Sequence, residues 1–328
     1  MKLLGVGSPL VDYPLAVSET LLSELVPGGK GCTRNITAED KNRIISRIPG
    51  EILRFPGGSA ANTMRIFSAL GGVSSLFGKA GNDEEAEFFG NELIKSGVDD
   101  SLLIKDREKS TGFCLSLITP DAERTMLSDL AASREISSAE IENIDFTRFD
   151  WLLLEGYLSC EKWIPHLLKK AEGAGCKIAL DLNNFELVSR ELENFMQLTA
   201  NGIDLLLGNE EEVAALFPGK TSAELPAMLR LHYPISVLKK GADGALIVTA
   251  DQEYYIPAQA VTAVKDTTGA GDFFAGGFFF GMSRNYPLPV CGRIGALCAA
   301  AVIEENGTLL SDKKINFLKQ YIDKEVMP

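Results

Sequence analysis

Asp266-Thr267-Thr268-Gly269-Ala270-Gly271-Asp272 runs directly into the apolar stretch Phe273-Phe274-Ala275-Gly276-Gly277-Phe278-Phe279-Phe280-Gly281-Met282. A turn of small residues opens an apolar helix, with an acid in its first turn. The first amides of a helix have no partner inside it and point outward as donors. The helix dipole adds about half a positive charge at the same end. Gly269 and Gly271 carry no Cβ, so a ligand can reach the backbone. The stretch reads as an anion hole with a carboxylate beside it. A carboxylate would repel a phosphate unless its task is to face an attacking hydroxyl, so the combination points to phosphoryl transfer to an alcohol. The plain alternative is capping, which an Asp at a helix start supplies at roughly 1 kcal/mol. The helix itself weighs against it. Gly276, Gly277 and Gly281 each cost up to about 1 kcal/mol relative to Ala in a helix interior. A helix apolar on every side that still carries glycines is packed tightly inside the protein, and its N-terminus is held rigidly.

Between residue 150 and this stretch, short apolar runs alternate with helical ones. Strands are predicted over 151–155, 177–182, 204–207, 235–238 and 245–249, and helices over 161–173, 185–199, 210–217 and 222–231. Continuous apolar strands with helices between them mean βαβ units and a parallel sheet covered on both faces. Ligands bind such sheets beyond the carboxyl ends of the strands. Residues 3–7 can add a strand to that sheet. The first 130 residues differ: 11–55 reads as irregular, with Gly28-Gly29-Lys30-Gly31 inside it, and 113–119 alternates like a half-exposed strand. The expected fold is one α/β domain over 1–328, three-layered around a mostly parallel sheet. Segments about 13–55 and 103–128 would form a small β-rich lid.

The chain has 328 residues, 45% hydrophobic and 23% charged, which is ample for a core. Its net charge of −13 disfavours nucleic acid and anionic membranes as partners. A phosphate-bearing ligand then needs a local dipolar or positive pocket, or a metal. Six cysteines occur without a C-x-x-C, which suits free thiols in a reducing cytoplasm. His166 and His232 are the only histidines, and their placement argues against Ser-His-Asp or Cys-His chemistry. The start, Met1 to Pro9, is too broken by Gly and Pro for a signal peptide, and no apolar run approaches 18 residues. A cytoplasmic protein is expected. No G-x-x-x-x-G-K-[ST] motif is present.

Four segments, in order, resemble the PfkB or ribokinase-like family of carbohydrate and nucleoside kinases. Gly57-Gly58-Ser59-Ala60-Ala61-Asn62 is similar to its N-terminal signature, Asn209-Glu210-Glu211-Glu212 to its N-x-x-E motif, Lys240-Gly241-Ala242-Asp243-Gly244 to its nucleotide-binding strand–turn, and Asp266 to Gly277 to its C-terminal signature. The resemblance implies a ribokinase-like fold, ATP with Mg²⁺, and transfer of the γ-phosphate to a primary hydroxyl. Asp272 is then the base, a role worth roughly 10²- to 10⁴-fold. Gly269, Ala270 and Gly271 would stabilise the transferring phosphate through backbone N–H groups. A loose transition state lets proton loss come late, so a base near its ordinary pKa suffices.

Physical reasons accompany each motif. Gly57 and Gly58 let a ligand hydroxyl approach backbone N–H groups, and Asn62 offers a donor and an acceptor on the first turn of a helix predicted over 60–70. Asn209 and Glu212, three apart, share a helix face. Glu212 would order a hydrated magnesium ion through water; the same pair could equally be a capping arrangement. The resemblance assigns Asn209, Lys240, Gly241 and Gly244 to the nucleotide, and a monovalent cation, K⁺, to the neighbourhood of Asp266, Thr268 and Gly307. Gly5-Val6-Gly7-Ser8-Pro9-Leu10-Val11-Asp12 and Arg124 to Ala132 resemble the adenosine kinase branch. By that resemblance Asp12 binds ribose hydroxyls, Arg124 reaches the phosphate from the lid, and Tyr157 stacks on a base. Ser8 departs from the Asn usual there, which leaves a free sugar such as ribose, fructose or 2-keto-3-deoxygluconate open beside an adenosine-like nucleoside. The expected partner is that small molecule, with the enzyme a monomer or homodimer.

Overall fold

The computed structural model describes residues 1–121, 123–200 and 202–326. Among them, nine strands form the main sheet. Their spatial order is Glu253–Ile256, Ala245–Thr249, Ile235–Lys239, Leu205–Asn209, Lys177–Asp181, Trp151–Glu155, Lys2–Val6, Val73–Ala80 and Leu103–Lys105. Neighbours are parallel except where Ile235–Lys239, Ala245–Thr249 and Glu253–Ile256 fold back on one another as hairpins.

The strands read as unbroken apolar runs because both faces are covered. Leu153 joins one core with helices Ser59–Ala69, Ala270–Ser283 and Leu288–Ile303. Leu152 and Leu154 join the opposite core with helices Ile164–Gly173, Leu192–Ala200 and Leu225–His232. Leu205 and Leu207 alternate with Leu206 in the same way, as the strand period of two requires.

Helix Ala270–Ser283 lies in the first core with no polar side. A β-carbon built on Gly276 would stand 2.3 Å from Ile66 Cγ2, one on Gly277 2.8 Å from Cys298 Sγ, and one on Gly281 2.7 Å from Cys291 Cα. Neighbouring helices approach to within a methyl group, which is why glycine stands there despite its low helix propensity.

Several predicted boundaries shift. Helices predicted from 161 and 222 start at Ile164 and Leu225, where Pro165 and Pro226 occupy the first turn; only there is the missing N–H harmless. The helix predicted over 185–199 is two, Phe185–Arg190 and Leu192–Ala200, parted at Glu191. Segment 11–55 is regular after all. It holds strands Leu10–Ala16 and Thr33–Asn35, the start of Phe55–Gly57, and helices Glu19–Leu25 and Ala38–Ile45. Pro14 inside the first strand masks its pattern.

These strands build a second sheet, ordered Thr33–Asn35, Arg124–Asp129, Gly112–Ile118, Leu10–Ala16, Phe55–Gly57. The segment expected over 103–128 therefore divides. Leu103–Lys105 pairs with Gly78 to Ala80 on the main sheet, and only the two strands within 112–129 join the second. Val11, Tyr13 and Leu15 turn into a third core with Phe113, Leu115 and Leu117. Leu10 and Asp12, on the opposite face, look onto the carboxyl ends of the main-sheet strands.

Candidate active site

A cavity of about 930 Å³ separates the two sheets. Its floor is the carboxyl edge of the main sheet, represented by Glu155, Asn183, Asn209 and Lys239. Leu10, Asp12, Cys114, Met126 and Ser128 of the second sheet face it. Of the residues singled out from the sequence, Asp12, Gly58, Asn62, Tyr157, Asn209, Glu212, Gly241, Gly244, Thr268, Gly269, Ala270, Gly271 and Asp272 all line it.

Gly269 caps helix Ala270–Ser283 with φ +75°, the left-handed region that favours glycine. Ala270 N donates to Thr267 O at 3.2 Å. This corrects the expectation for Ala270: its amide is spent on the turn, which leaves Gly271 and Asp272 as the helical amides without an intrahelical acceptor. Asp272 is gripped from another helix. Ser59 Oγ donates to Asp272 Oδ1 at 2.6 Å, and Asn62 Nδ2 donates to Oδ2 at 2.9 Å. Burial lifts the Asp272 carboxyl to about 6; the Ser59 and Asn62 donors restrain that rise, Asp181 adds to it, and Lys239 opposes it.

Both donors are themselves oriented. Asn183 Nδ2 donates to Ser59 Oγ at 2.7 Å, so the Ser59 proton is left for Asp272. Asn183 holds φ +61° and accepts from Gly156 N at 2.8 Å. A non-glycine residue there costs of order 1 kcal/mol and persists where surrounding bonds over-determine it. Arg65, buried on the same helix as Ser59 and Asn62, donates to Asn62 Oδ1 at 3.0 Å and to Pro56 O at 3.2 Å. The amide of Asn62 is thereby fixed with its nitrogen toward Asp272.

Asp12 sits beside the Gly57-Gly58 turn. A β-carbon on Gly57 would lie 2.5 Å from Asp12 Oδ2, and one on Gly58 (φ +88°) 2.3 Å from Ser8 O. Only glycine allows that closeness. Gly57 itself pairs with Leu10 in the second sheet and does not line the cavity. Burial raises Asp12 to about 7, with the Asp272 charge adding and Arg65 opposing. Glu155, buried, accepts from Ser8 N at 2.8 Å and Ala60 N at 3.1 Å, tying the first strand to the helix that bears Ser59 and Asn62. Burial takes its carboxyl to about 7 as well. Tyr157 remains 40% exposed at the cavity, its hydroxyl 3.4 Å from Asn183 O.

At the other end, Asn209 and Glu212 form a reciprocal capping box. Glu212 N donates to Asn209 Oδ1 at 2.8 Å, Asn209 N to Glu212 Oε2 at 2.8 Å, and Asn209 Nδ2 to Glu212 Oε1 at 3.0 Å. Burial raises the Glu212 carboxyl, with Lys239 opposing. Each Glu212 oxygen keeps a lone pair, which fits a water of a hydrated magnesium ion. Among the described residues no group of three or more His, Cys, Asp or Glu stands together as a metal cage. Lys240 does not reach the cavity: it pairs with Glu210 at 3.2 Å, outside. The strand alternation instead delivers Lys239, the residue registered with Asn209, to the interior.

Arg124 also lies outside the cavity lining. Its Nη1 donates to Thr268 Oγ1 at 2.7 Å and its Nη2 to Asp266 Oδ1 at 2.7 Å. Asp266 further accepts from Thr268 N at 2.8 Å and Gly307 N at 3.1 Å. The guanidinium thus holds two of the oxygens expected near a monovalent cation, Asp266 Oδ1 and Thr268 Oγ1, while Asp266 Oδ2 accepts from Gly307 N. Ser59, Arg65, Glu155, Asn183 and Lys239 are the site residues sequence reasoning passed over. Ser59 stood inside a quoted motif and Lys239 one position from one.

The profile of the pfkB family carbohydrate kinases matches residues 35–315. Aminoimidazole riboside kinase of Salmonella typhimurium is 28% identical over 248 residues, covering 71% of this chain and 75% of that protein. Fructokinase of Vibrio alginolyticus is 27% identical over 265 residues, covering 76% and 84%. The crystal structure of adenosine kinase from Sinorhizobium meliloti superposes with a TM-score of 0.87 at 26% identity, covering 97% of this chain and 98% of that one. The chain belongs to the pfkB carbohydrate kinase family, phosphotransferases that act on a hydroxyl of a sugar or nucleoside.

Proposed function

We propose that this kinase transfers the γ-phosphate of ATP to the primary hydroxyl of an adenosine-like ribonucleoside. One observation carries the acceptor: the side of the cavity that bears Asp12 is otherwise built mainly from the apolar Leu10, Cys114, Met126 and Leu130, with Thr33 and Ser128 beside them, and carries no basic side chain. A planar base fits such a slot, whereas an acidic sugar would need a cation. The amide of Asn183 is already engaged at both ends, so it offers little to a hydroxyl-rich free sugar. Asp12 can accept two hydrogen bonds from a vicinal diol, which suits ribose. The adenosine kinase and the aminoimidazole riboside kinase named above, by their names, lean the same way.

In the reaction the small sheet serves as a lid over the acceptor. Asp272, held by Ser59 and Asn62, aligns the attacking hydroxyl. The bond from that oxygen to the γ-phosphorus forms as the bond from phosphorus to the β-phosphate oxygen breaks. The hydroxyl proton passes to Asp272, and ADP leaves with the bonding pair. The helix start offers the backbone N–H groups of Gly271 and Asp272 and the dipole to the charge on the transferring group. Glu212, through water, would hold the magnesium ion, which neutralises phosphate charge. Gly241, Ala242 and Gly244, with Ala296, Ala299 and Ala300, give the nucleotide a wall of small residues. The test is a coupled ADP-release assay with adenosine, other ribonucleosides, ribose, fructose and 2-keto-3-deoxygluconate. Adenosine-like nucleosides should give the highest kcat/KM. Preference for a free sugar by tenfold or more would overturn the acceptor assignment.

A further inference from the structure

Lys239 is the one Lys or Arg among the described residues lining the cavity, in a chain of net charge −13. Its side chain is 12% exposed, and it pairs with Asp181, itself 2% exposed, at 2.9 and 3.0 Å to the two carboxylate oxygens. The ammonium also lies against the anion hole: a β-carbon built on Gly271 would stand 3.0 Å from Lys239 Nζ. Burial pulls its pKa down, but Asp181, Glu212 and Asp272 outweigh burial and hold it above the ordinary lysine value, so the charge persists at neutral pH.

Four carboxylates line the same space, on Asp12, Glu155, Glu212 and Asp272. A triphosphate entering them meets like charge except at the glycine turn and at Lys239. An ammonium on a flexible stem can exchange one oxyanion for another without leaving its place. We propose that Lys239 is the side-chain cation that meets the transferring γ-phosphate, with Asp181 as its counter-ion when the phosphate is absent. This rests on the kinase reading of the cavity. It adds a catalytic side chain to the backbone amides.

The test compares the unmodified chain with Lys239→Met, Lys239→Arg and the double variant Asp181→Asn/Lys239→Met. Calorimetric titration with Mg²⁺ and a non-hydrolysable ATP analogue, and separately with ADP, is read beside turnover with adenosine. A charge-assisted contact to phosphate predicts that Lys239→Met loses about 10- to 100-fold in affinity for the ATP analogue and in kcat, with ADP affinity little changed. Lys239→Arg should recover part of the loss. The double variant removes the unpaired buried charge, so it carries the measurement if Lys239→Met fails to fold, and it should stay deficient. Wild-type turnover in the double variant would show that Lys239 merely neutralises Asp181 and would overturn the proposal, as would equal losses for the ATP analogue and ADP. Absence of turnover in the unmodified chain would instead strike the acceptor assignment, and the two titrations would still decide the role of Lys239.

Discussion

Replacing Ser59 with alanine should move the acid limb of the pH–rate profile toward alkaline pH. Ser59 Oγ lies 2.6 Å from Asp272 Oδ1, and Asn183 occupies its acceptor side, so the hydroxyl proton stabilises the ionised base. A hydrogen bond to a charged group is worth about 1.5–3 kcal/mol, and one pKa unit is about 1.4 kcal/mol. Losing this bond should therefore raise the carboxyl by roughly 1–2 units. The unmodified base titrates at about 6, so the limb in the variant should have its midpoint at ~7–8. At pH 7 the unmodified enzyme would hold about nine-tenths of its base ionised, and the variant about a half or less. The assay is kcat/KM for adenosine from pH 5 to 9, with circular dichroism at each pH to confirm the fold. A limb that stays at its original midpoint in folded protein would refute the argument that Ser59 tunes the base.

Asp272→Asn should leave the fold intact while kcat falls by roughly 10²- to 10⁴-fold; near-normal turnover by the same coupled assay would remove the base. Asp12→Asn should raise the acceptor KM about 10-fold or more through the loss of charge-assisted bonds, with the ATP KM unmoved. An acceptor KM that did not change would make Asp12 structural. Gly58→Ala should destabilise by about 1–3 kcal/mol, from a positive φ that alanine tolerates poorly and from the approach to Ser8 O; a urea denaturation midpoint equal to the parent would contradict this. Asp12 and Glu155 both titrate at about 7 in the fold. Raised carboxyl pKa values mean that the folded state binds protons more tightly than the unfolded one, so their contribution to stability is fullest below about pH 4 and is lost as pH rises through about 7. The thermal midpoint should fall between pH 5 and pH 8, and Glu155→Gln should flatten that slope; a midpoint that rises across the window would contradict the assignment.

The glycine-capped helix start at the cavity was legible because a helix start is local: glycines, acid and apolar run stand within 17 consecutive residues, 266–282. The parallel sheet was legible because burial on both faces leaves an apolar signature in each strand. What holds Asp272 was not legible. Ser59 and Asn62 stand 213 and 210 residues away, and only the packing of two helices brings them together. The choice of Lys240 over Lys239 failed on a one-residue parity that depends on where the strand ends. Glu212 was open between metal and cap, and the structure shows the cap made, at the edge of the cavity. Arg124 was expected at a phosphate, but in the fold it binds two oxygens, on Asp266 and Thr268, that no spacing rule links across 142 and 144 residues.

The tight contact at Gly276, where a β-carbon would also meet Thr63 O at 2.7 Å, locks the helix of the base to the helix of its donors. Most of the residues proposed to meet the acceptor, Leu10, Asp12, Cys114 and Met126, are carried instead on a separate sheet with its own core. Chemistry and recognition are thus inherited on different pieces of scaffold. A lineage can exchange one alcohol for another by substitutions in the outer sheet alone, while the phosphoryl-transfer apparatus passes through the change unaltered.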